Sequence, residues 1–276
     1  MSDRYFLSQY LPTESLRTKL KQEFLVSCRS SWRQQNDIGE YSRFYYVLDG
    51  SCNLNIDGKQ YTLCPGSLAL LPDGKVINAS HTDEKFLFKY WCEFSAEIAS
   101  VSIFEWLQIP YVIQVEDMEQ TEKLFHDMLC DEYGKAYTEK SGILKENDKL
   151  IPILDIFLEK ALHSPEVLRK NMDMLKVISY MTEHMQEKLM VEDISAVVYM
   201  SPAAFSRTFH KSTGMPPITF LNELRLDKAK KLLSATDIKI GQIAEAVGFE
   251  EESYFFKIFS RHTGITPTVY RQKREG

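Results

Sequence analysis

The 276-residue sequence predicts an α+β multidomain protein: an N-terminal antiparallel β-barrel, a helical segment, and an all-α domain of two helix–turn–helix units. Three observations support this fold class. Short apolar runs separated by turn residues fill residues 39–95, which is typical of a small barrel or sandwich. After Ser95 the apolar spacing changes to three and four, as in amphipathic helices. In the last third of the chain a short pattern occurs twice.

The strands are indicated by Asp-Gly turns between apolar runs. Asp49-Gly50 follows the run at 44–48, and Asp57-Gly58 follows the run at 53–56. Asp-Gly favours a tight hairpin because both turn residues must adopt positive φ. Further apolar runs lie at 60–63, 67–71 and 86–94.

Two amphipathic helices are predicted next, at 117–133 and 143–162. Pro152 falls inside the second helix, so we expect a break or kink near it. Two interpretations of these helices remain open: they pack on their own barrel, or they form a hairpin that mediates dimerisation. Ser164-Pro165 marks the expected linker to the C-terminal domain.

The repeated pattern is Phe-Ser-Arg-Thr-Phe at 205–209 and Phe-Phe-Lys-Ile-Phe at 255–259, each followed by Thr-Gly and Pro at the same offset. Each copy predicts two short helices with a turn between them, and a longer helix from Pro217 joins the copies. A duplicated unit suits a partner that repeats along its length. Duplex DNA is such a partner, because its major groove returns to the same face about every 34 Å.

The second helix of each unit is expected to enter the major groove. Arg207 suits bidentate contact with guanine, and Phe205, Phe209, Phe255 and Phe259 fall on the opposite, core-facing side. Glu252, preceded by two more glutamates, has two interpretations: it contacts a cytosine amine, or it stabilises the dipole of its own helix. The predicted DNA contacts are Ala203, Ser206, Arg207, Lys211, Glu252, Ser253, Phe256 and Lys257.

Two stretches resemble the C-terminal domain of AraC-type transcriptional regulators: GFEEESYFFKIFSRHTGITPTVYR at 248–271 and MSPAAFSRTFHKSTGMPP at 200–217. The resemblance covers about residues 172–274 and is carried by a dense motif. It implies a transcription factor whose two recognition helices enter successive major-groove segments of one half-site. Ser195 and Tyr199 depart from the second unit, which has Ala244 and Gly248 at these positions, so a looser first turn is expected.

The N-terminal motifs are similar to the cupin-type sensor domain that many members of this family carry. These motifs are Tyr46-Val47-Leu48-Asp49-Gly50, Ile56-Asp57-Gly58, Pro65-Gly66-Ser67 and Tyr90-Trp91-Cys92-Glu93-Phe94. The resemblance implies a small-molecule site in the barrel, with Trp91 at the position of a sugar-contacting aromatic and Lys89 as a polar neighbour. The other predicted ligand-binding residues are Arg33, Tyr46, His81 and Glu93.

Composition limits the other classes of function. From residue 171 the chain has 14 Lys+Arg against 13 Asp+Glu, and the first 170 residues carry a net charge of −7, so the motif rather than the charge indicates DNA. His81 is the one histidine of the barrel region, too few for a metal-dependent cupin, and no catalytic triad or phosphate-binding loop is present. We therefore expect neither a metal, nor a cofactor, nor an enzyme.

Five scattered cysteines, no apolar run near 18 residues and no secretory h-region predict a cytoplasmic protein with reduced thiols and no membrane span. The expected domains are a cupin-like sensor at 1–115, a helical dimerisation segment at 116–168 and a DNA-binding domain at 169–276. The expected function is a ligand-responsive transcriptional regulator, more specifically an activator. Its expected partners are double-stranded promoter DNA, a small polar effector such as a sugar, a second copy in a homodimer, and RNA polymerase.

Two alternatives remain open at this point. In the first, the protein binds DNA but its N-terminal domain mediates only assembly, and a barrel filled with side chains would favour this version. In the second, the barrel is a cupin enzyme, which stoichiometric iron or zinc would support and the missing histidines oppose.

Overall fold

The computed structural model describes residues 11–12, 14–82, 86–129 and 147–273. The chain divides into two compact units. The first contains residues 17–96 and 107–170, so the whole of the predicted helical segment, 116–168, belongs to it. The second contains residues 171–276 together with two earlier stretches, 10–16 and 97–106.

Two antiparallel sheets build the first unit, which confirms the predicted β-rich N-terminal region. One sheet has the order β1 (Arg17–Cys28), β8 (Leu87–Ile98), β3 (Ser42–Asp49), β6 (Ser67–Leu71) and β10 (Val112–Gln114), with β9 (Val101–Ser102) paired to β8. The other has the order β2 (Arg33–Ile38), β7 (Val76–His81), β4 (Cys52–Ile56) and β5 (Lys59–Leu63). Strands β1 and β2 lie before the predicted region, 39–95. They were not predicted because their exposed and half-buried residues lack a clear apolar alternation.

The turn between β4 and β5 is the tight hairpin that Asp57-Gly58 predicts. Ile56 pairs with Lys59, and the two residues between them have φ values of 47° and 86°. Aspartate tolerates the left-handed region and glycine enters it freely, so this pair sets the register of the hairpin.

Strands β3 and β8 are buried on both faces, and their alternating residues belong to two different cores. One face of β3 carries Tyr45 and Val47, which contribute to the core between the two sheets. The other face carries Phe44 and Tyr46, which lie under helices α2 (Met118–Leu129) and α3 (Asn147–Leu162). A short helix, α1 (Ile103–Trp106), precedes them in the chain.

Helices α2 and α3 pack on their own barrel. The ring of Phe125 on α2 stacks on Tyr46 and on Tyr90, both at 5.3 Å between centroids. Phe157 on α3 lies 5.3 Å from Phe44. This supports the first interpretation of the helices, whereas dimerisation through their remaining surface stays a prediction. The predicted helical residues 130–133 and 143–146 lie outside the described residues.

Of the predicted break or kink at Pro152, the break is wrong, because α3 runs through this residue without interruption, and the kink stays a prediction. Proline removes one backbone donor and crowds the preceding turn. Around Pro152, Leu150, Ile153, Leu154 and Phe157 are completely buried. Their packing holds the helix together across the missing hydrogen bond.

The second unit is helical, and its elements follow the predicted order. They are α5 (Val191–Ala196), α6 (Pro202–Thr213), α7 (Pro217–Ala235), α8 (Ile240–Ala246), α9 (Glu252–Thr263) and α10 (Pro267–Gln272), preceded by α4 (Pro165–Glu183), which begins in the first unit. Helix α3 ends at Leu162 and α4 starts at Pro165, so the predicted linker at Ser164-Pro165 is a short connection between two helices. Helix α4 then continues without a break through the boundary expected between residues 168 and 169. Within the described ranges, no helix combines the length and apolarity needed to cross a bilayer.

The duplication of the sequence extends to single hydrogen bonds. Thr213 Oγ1 donates to the Phe209 carbonyl at 2.9 Å, and Thr263 Oγ1 donates to the Phe259 carbonyl at 2.8 Å. Gly214 and Gly264 then end α6 and α9 with φ values of 73° and 75°, the left-handed conformation that glycine adopts without strain. The two helix–turn–helix motifs, which both lie in the second compact unit, are therefore built alike.

Candidate DNA interface and effector site

Helix α6 presents the first predicted recognition face to solvent. Ser201 caps its N-terminus by accepting a 3.4 Å hydrogen bond from the Ala204 amide, and Pro202 occupies the first helical position. Phe205 and Phe209 are buried, as predicted for the core side. The structure brings the predicted contacts together on the outer face: Ala203, Arg207 and Lys211 are exposed, and Ser206 is half-buried.

Helix α9 presents the matching face of the second unit. Phe255 and Phe259 are buried, as predicted. On the outer side Glu252, Ser253 and Lys257 are exposed, and Phe256 is half-buried, with its ring centroid 6.1 Å from that of Phe255. Glu251 occupies the N-cap but makes no side-chain capping bond, unlike Ser201 in the first unit.

The acidic start of α9 is engaged with the protein itself. Glu250 forms a 3.0 Å ion pair with Lys188. The Glu252 carboxylate lies so close to Gly241 that a Cβ added there would be 2.7 Å from Oε2. Glu250 and Glu252 thus both have neighbours within their own domain. Both interpretations of Glu252, as a base contact and as a stabiliser of its helix dipole, stay open.

A functional residue that the sequence reasoning missed is Arg225, on helix α7. Its Nε donates to the Met185 carbonyl and its Nη2 to the Glu187 carbonyl, both at 2.8 Å. The guanidinium also lies 5.6 Å from the centroid of the Phe249 ring, and burial lowers its pKa. Arg225 thus ties the connecting helix to the chain that follows α4 and to the turn of the second unit.

The centre of the barrel holds a buried lysine. Lys89 on β8 is 2% exposed, and its Nζ lies 3.2 Å from the ring centroid of Tyr45 and 4.0 Å from that of Trp32. Burial is the main cause that lowers the pKa of Lys89 to about 8. Neither ring was among the predicted ligand residues, although the alternation of β3 places Tyr45 opposite Trp91.

Three other predicted ligand residues share this face of the sheets. Trp91, half-buried, stacks on Phe24 at 5.4 Å between ring centroids. Glu93 lies 3.8 Å from Arg43 Nε. His81 is buried and alternates in step with Ile77 and Ala79, which belong to the barrel core.

The remaining two predicted ligand residues lie elsewhere. Tyr46 points to the opposite side of β3, where its hydroxyl donates to the Met118 carbonyl at 3.0 Å. The guanidinium of Arg33 is exposed and donates to the carbonyls of Ser30 and Trp32 at 2.9 and 2.7 Å. Tyr46 faces away from Lys89 because neighbouring residues of a strand point to opposite faces. Arg33 is held by the carbonyls of the turn before β2, so neither residue reaches Lys89.

One end of the barrel interior is a polar cluster that satisfies itself. Arg43, which is 5% exposed, pairs with Asp37. Gln34 Nε2 donates to Asp37 at 2.7 Å, and Gln34 Oε1 accepts from the Tyr45 hydroxyl at 2.9 Å. This network orients the Tyr45 ring beneath the Lys89 ammonium.

The described ranges contain free thiols but no cluster of metal ligands. No group of three or more His, Cys, Asp or Glu side chains there is arranged to hold a metal ion. Cys28, Cys52 and Cys92 are buried free thiols and Cys64 is an exposed one, while Cys130 lies outside the described residues. Burial raises the pKa of Cys28, and that of Cys52 to about 11, so both thiols stay neutral near pH 7.

Comparison with known proteins relates both units to one family. The model of the AraC-like ligand binding domain matches residues 29–139, and a model of a helix-turn-helix domain matches residues 194–273. RclR of Escherichia coli, an RCS-specific HTH-type transcriptional activator, is 27% identical over 88% of this chain and 89% of its own length. The arabinose operon regulatory protein of Salmonella typhimurium is 23% identical over 82% of this chain and 83% of its own length.

A third relative matches the C-terminal unit alone. YisR, an HTH-type transcriptional regulator of Bacillus subtilis, is 39% identical over 34% of this chain and 32% of its own length. The two recognition helices, the barrel and these matches agree with one another, and the chain therefore belongs to the AraC family of transcriptional regulators, with an AraC-like ligand-binding domain followed by a helix–turn–helix domain.

Proposed function

We propose that this protein is a ligand-responsive transcriptional activator that binds promoter DNA through α6 and α9 and takes a small polar effector inside its barrel. The observation that carries the proposal is the pair of matching exposed faces on α6 and α9, fifty residues apart. Each face carries an exposed cation near the middle of its helix, Arg207 in the first and Lys257 in the second.

The contacts proposed for the first groove are Ala203, Ser206, Arg207 and Lys211, and those for the second are Glu252, Ser253, Phe256 and Lys257. Arginine can donate two hydrogen bonds to the O6 and N7 of one guanine, so Arg207 is the strongest candidate for base recognition. Lysine contributes mainly phosphate contact, which adds affinity without sequence preference.

The effector part of the proposal is supported by the barrel interior and by the relatives. Trp91, Lys89, His81 and Glu93 share one interior face, and aromatic walls with few polar groups are typical of small-molecule sites. One relative that matches over most of its length is named for an arabinose operon and another as RCS-specific. A sugar is therefore one candidate class, and the names do not agree on it.

Activation, homodimerisation, a cytoplasmic location and contact with RNA polymerase complete the proposal. RclR is named an activator, which supports activation rather than repression by this protein. A homodimer would place two copies of the α6 and α9 pair on a repeated operator, and closed two-fold assemblies are the commonest oligomers.

The DNA part is tested by selecting bound fragments from a random duplex library with the full-length protein. Arg207→Ala and Lys257→Ala should lose specific binding, and the matched control Lys176→Ala, which removes one exposed charge from α4, should keep it. Equal binding by all four proteins would remove α6 and α9 from the interface.

A further inference from the structure

The ammonium of Lys89 is a buried positive charge without a counter-ion. This observation deepens the proposed function, on whose effector-binding barrel it rests. Within the part of the chain that the structure describes, the partners of Lys89 Nζ are the faces of Tyr45 and Trp32, and no carboxylate or other acceptor forms an ion pair or hydrogen bond with it. An ammonium has three N–H donors, so two ring faces leave its hydrogen-bonding capacity unused.

The two rings do not replace water fully. A cation over an aromatic face recovers part of the energy of hydration, while complete removal from water costs considerably more. The lowered pKa of Lys89 agrees with a net penalty for the charged form. A residue that destabilises the unliganded protein in this way is characteristic of a binding site.

The neighbouring polar groups cannot supply the missing anion. Asp37 and Glu93 form their ion pairs with Arg43, and neither carboxylate pairs with Lys89. The thiols of Cys28 and Cys52, although coupled to Lys89, are held neutral because burial raises their pKa. Lys89 therefore has no ion pair of its own, and an anion placed against its ammonium would supply one.

Apart from Lys89, His81 and the network around Arg43, the barrel interior is apolar. Val47, Leu54, Ile77 and Leu87 belong to the same core cluster, and Trp91 packs against it. A neutral sugar needs several hydrogen-bonding groups around its hydroxyls, but Gln34, Asp37 and Arg43 bond to one another instead. Trp32 and Trp91 are only half-buried, so solvent reaches the rings beside Lys89.

We propose that the effector of the barrel is a small organic monocarboxylate, whose carboxylate accepts hydrogen bonds from Lys89 and whose apolar body packs on Trp91. The apolar lining selects a carboxylic acid with a hydrocarbon or aromatic body over a neutral polyhydroxy compound.

The test uses matched pairs of probes that differ only in charge: 3-phenylpropanoate with its amide, and hexanoate with its amide, alongside arabinose. Unfolding of the full-length protein is followed by tryptophan fluorescence, since two of the three tryptophans, Trp32 and Trp91, line the barrel. A carboxylate at tenfold its Kd should raise the melting midpoint by about 2–4 °C, and the amides and arabinose should not.

Lys89→Met keeps the length of the side chain and removes its charge, so the carboxylates should no longer shift its melting midpoint. The control is Lys21→Met, because Lys21 also lies over an aromatic ring, that of Tyr41 at 4.1 Å, but away from the barrel core cluster. The control should respond to the carboxylates as the unchanged protein does. A carboxylate shift that survives in Lys89→Met would overturn the proposal.

A second readout needs no ligand. Because the charge is uncompensated, Lys89→Met should melt at a higher temperature than the unchanged protein in ligand-free buffer. A lower midpoint would show that the rings alone satisfy the ammonium, which would also overturn the proposal.

Failure of the effector class and failure of the proposed function give different results. If arabinose or an amide stabilises the protein and the carboxylates do not, the barrel is a sensor but the monocarboxylate assignment is wrong. If no probe shifts the midpoint, the assignment fails together with the effector part of the function, and the barrel mediates only assembly. The DNA-binding part of the proposed function is tested separately, by the binding experiment with Arg207→Ala.

Discussion

Arg225 Nε donates a 2.8 Å hydrogen bond to the carbonyl oxygen of Met185, forty positions earlier in the chain. The same guanidinium donates to the Glu187 carbonyl, so both carbonyls depend on one side chain. Gly248 completes the arrangement, because a Cβ at this position would lie 2.1 Å from the Met185 carbonyl oxygen and 2.9 Å from Arg225 Nε. The turn of the second helix–turn–helix unit is therefore packed against the segment that follows α4.

Arg225→Met should lower the free energy of unfolding of the helical unit by about 2 kcal/mol or more, because it leaves two carbonyls without donors. Urea unfolding followed by circular dichroism at 222 nm measures this loss. Lys176→Ala, at an exposed site on α4, serves as the control and should change stability by about 0.5 kcal/mol at most. A matching loss in both variants would show that the carbonyl contacts contribute nothing.

Arg207→Ala should cost about 1–3 kcal/mol of specific DNA binding and relax the preference at one base pair. Fluorescence anisotropy with the selected operator and its single-base variants gives both quantities. If affinity falls equally for all sequences, Arg207 contacts phosphate rather than a base.

Glu250→Gln should strengthen non-specific DNA binding, because it frees Lys188 from its 3.0 Å ion pair and removes one carboxylate from the start of α9. If the freed lysine binds one phosphate, the slope of log K against log salt concentration becomes steeper by about 0.9. The double variant Glu250→Gln with Lys188→Ala should return the slope to its original value. An unchanged slope in the single variant would place Lys188 away from the DNA.

The stability of the barrel should depend on pH through Lys89. Its pKa is lowered from 10.5 to about 8, so between these values the unfolded chain binds more protons than the folded one. Stability of the unchanged protein therefore rises with pH across this window. The advantage of Lys89→Met should be largest near pH 7 and should shrink toward pH 10.

Urea unfolding at several pH values, followed by tryptophan fluorescence, measures this advantage. The groups that interact with Lys89, namely Cys28, Cys52, Tyr45 and Arg43, are present in both proteins, so the difference isolates the lysine. An advantage of constant size from pH 7 to pH 10 would mean that Lys89 does not titrate in this range.

Tyr199→Asn should stabilise the protein by about 0.5–1 kcal/mol, because Tyr199 has a φ of 55° and asparagine tolerates the left-handed region better. The tyrosine ring is 97% exposed, so its removal sacrifices no buried surface. Tyr254→Asn, at a helical position of α9, should instead be destabilising, since asparagine is a poor helix former. Thermal melting of the two variants gives the comparison, and destabilisation by both would indicate that the Tyr199 ring has a contact of its own.

The recognition helices could be predicted from sequence because their information is local. Ser201, Pro202 and Gly214 define the ends of α6 by capping chemistry, and the phenylalanines four residues apart define its core side. The structure confirms each of these. Arg225 was harder to predict. The sequence shows a charged residue between Leu224 and Leu226, but it does not show that the carbonyls of Met185 and Glu187 lie within reach of that residue.

The effector site was harder to predict because strand parity is hidden when both faces are buried. Tyr45 and Tyr46 are equally buried neighbours, yet one lies under Lys89 and the other under Phe125. Only the pairing of Tyr45 with Trp91 across β3 and β8 decides between them. Such pairing joins residues far apart in the chain, and the sequence alone does not give its register.

The unbroken helix α7 has a consequence for the operator. Its 19 residues span about 28 Å, close to one turn of the DNA duplex, and it leaves no flexible joint between the two units. In the proposed complex, the two groups of base pairs must then lie at one fixed separation. Inserting about five base pairs between them would turn the second group to the far side of the duplex, so the proposed complex would depend on the length of its operator as well as on its bases.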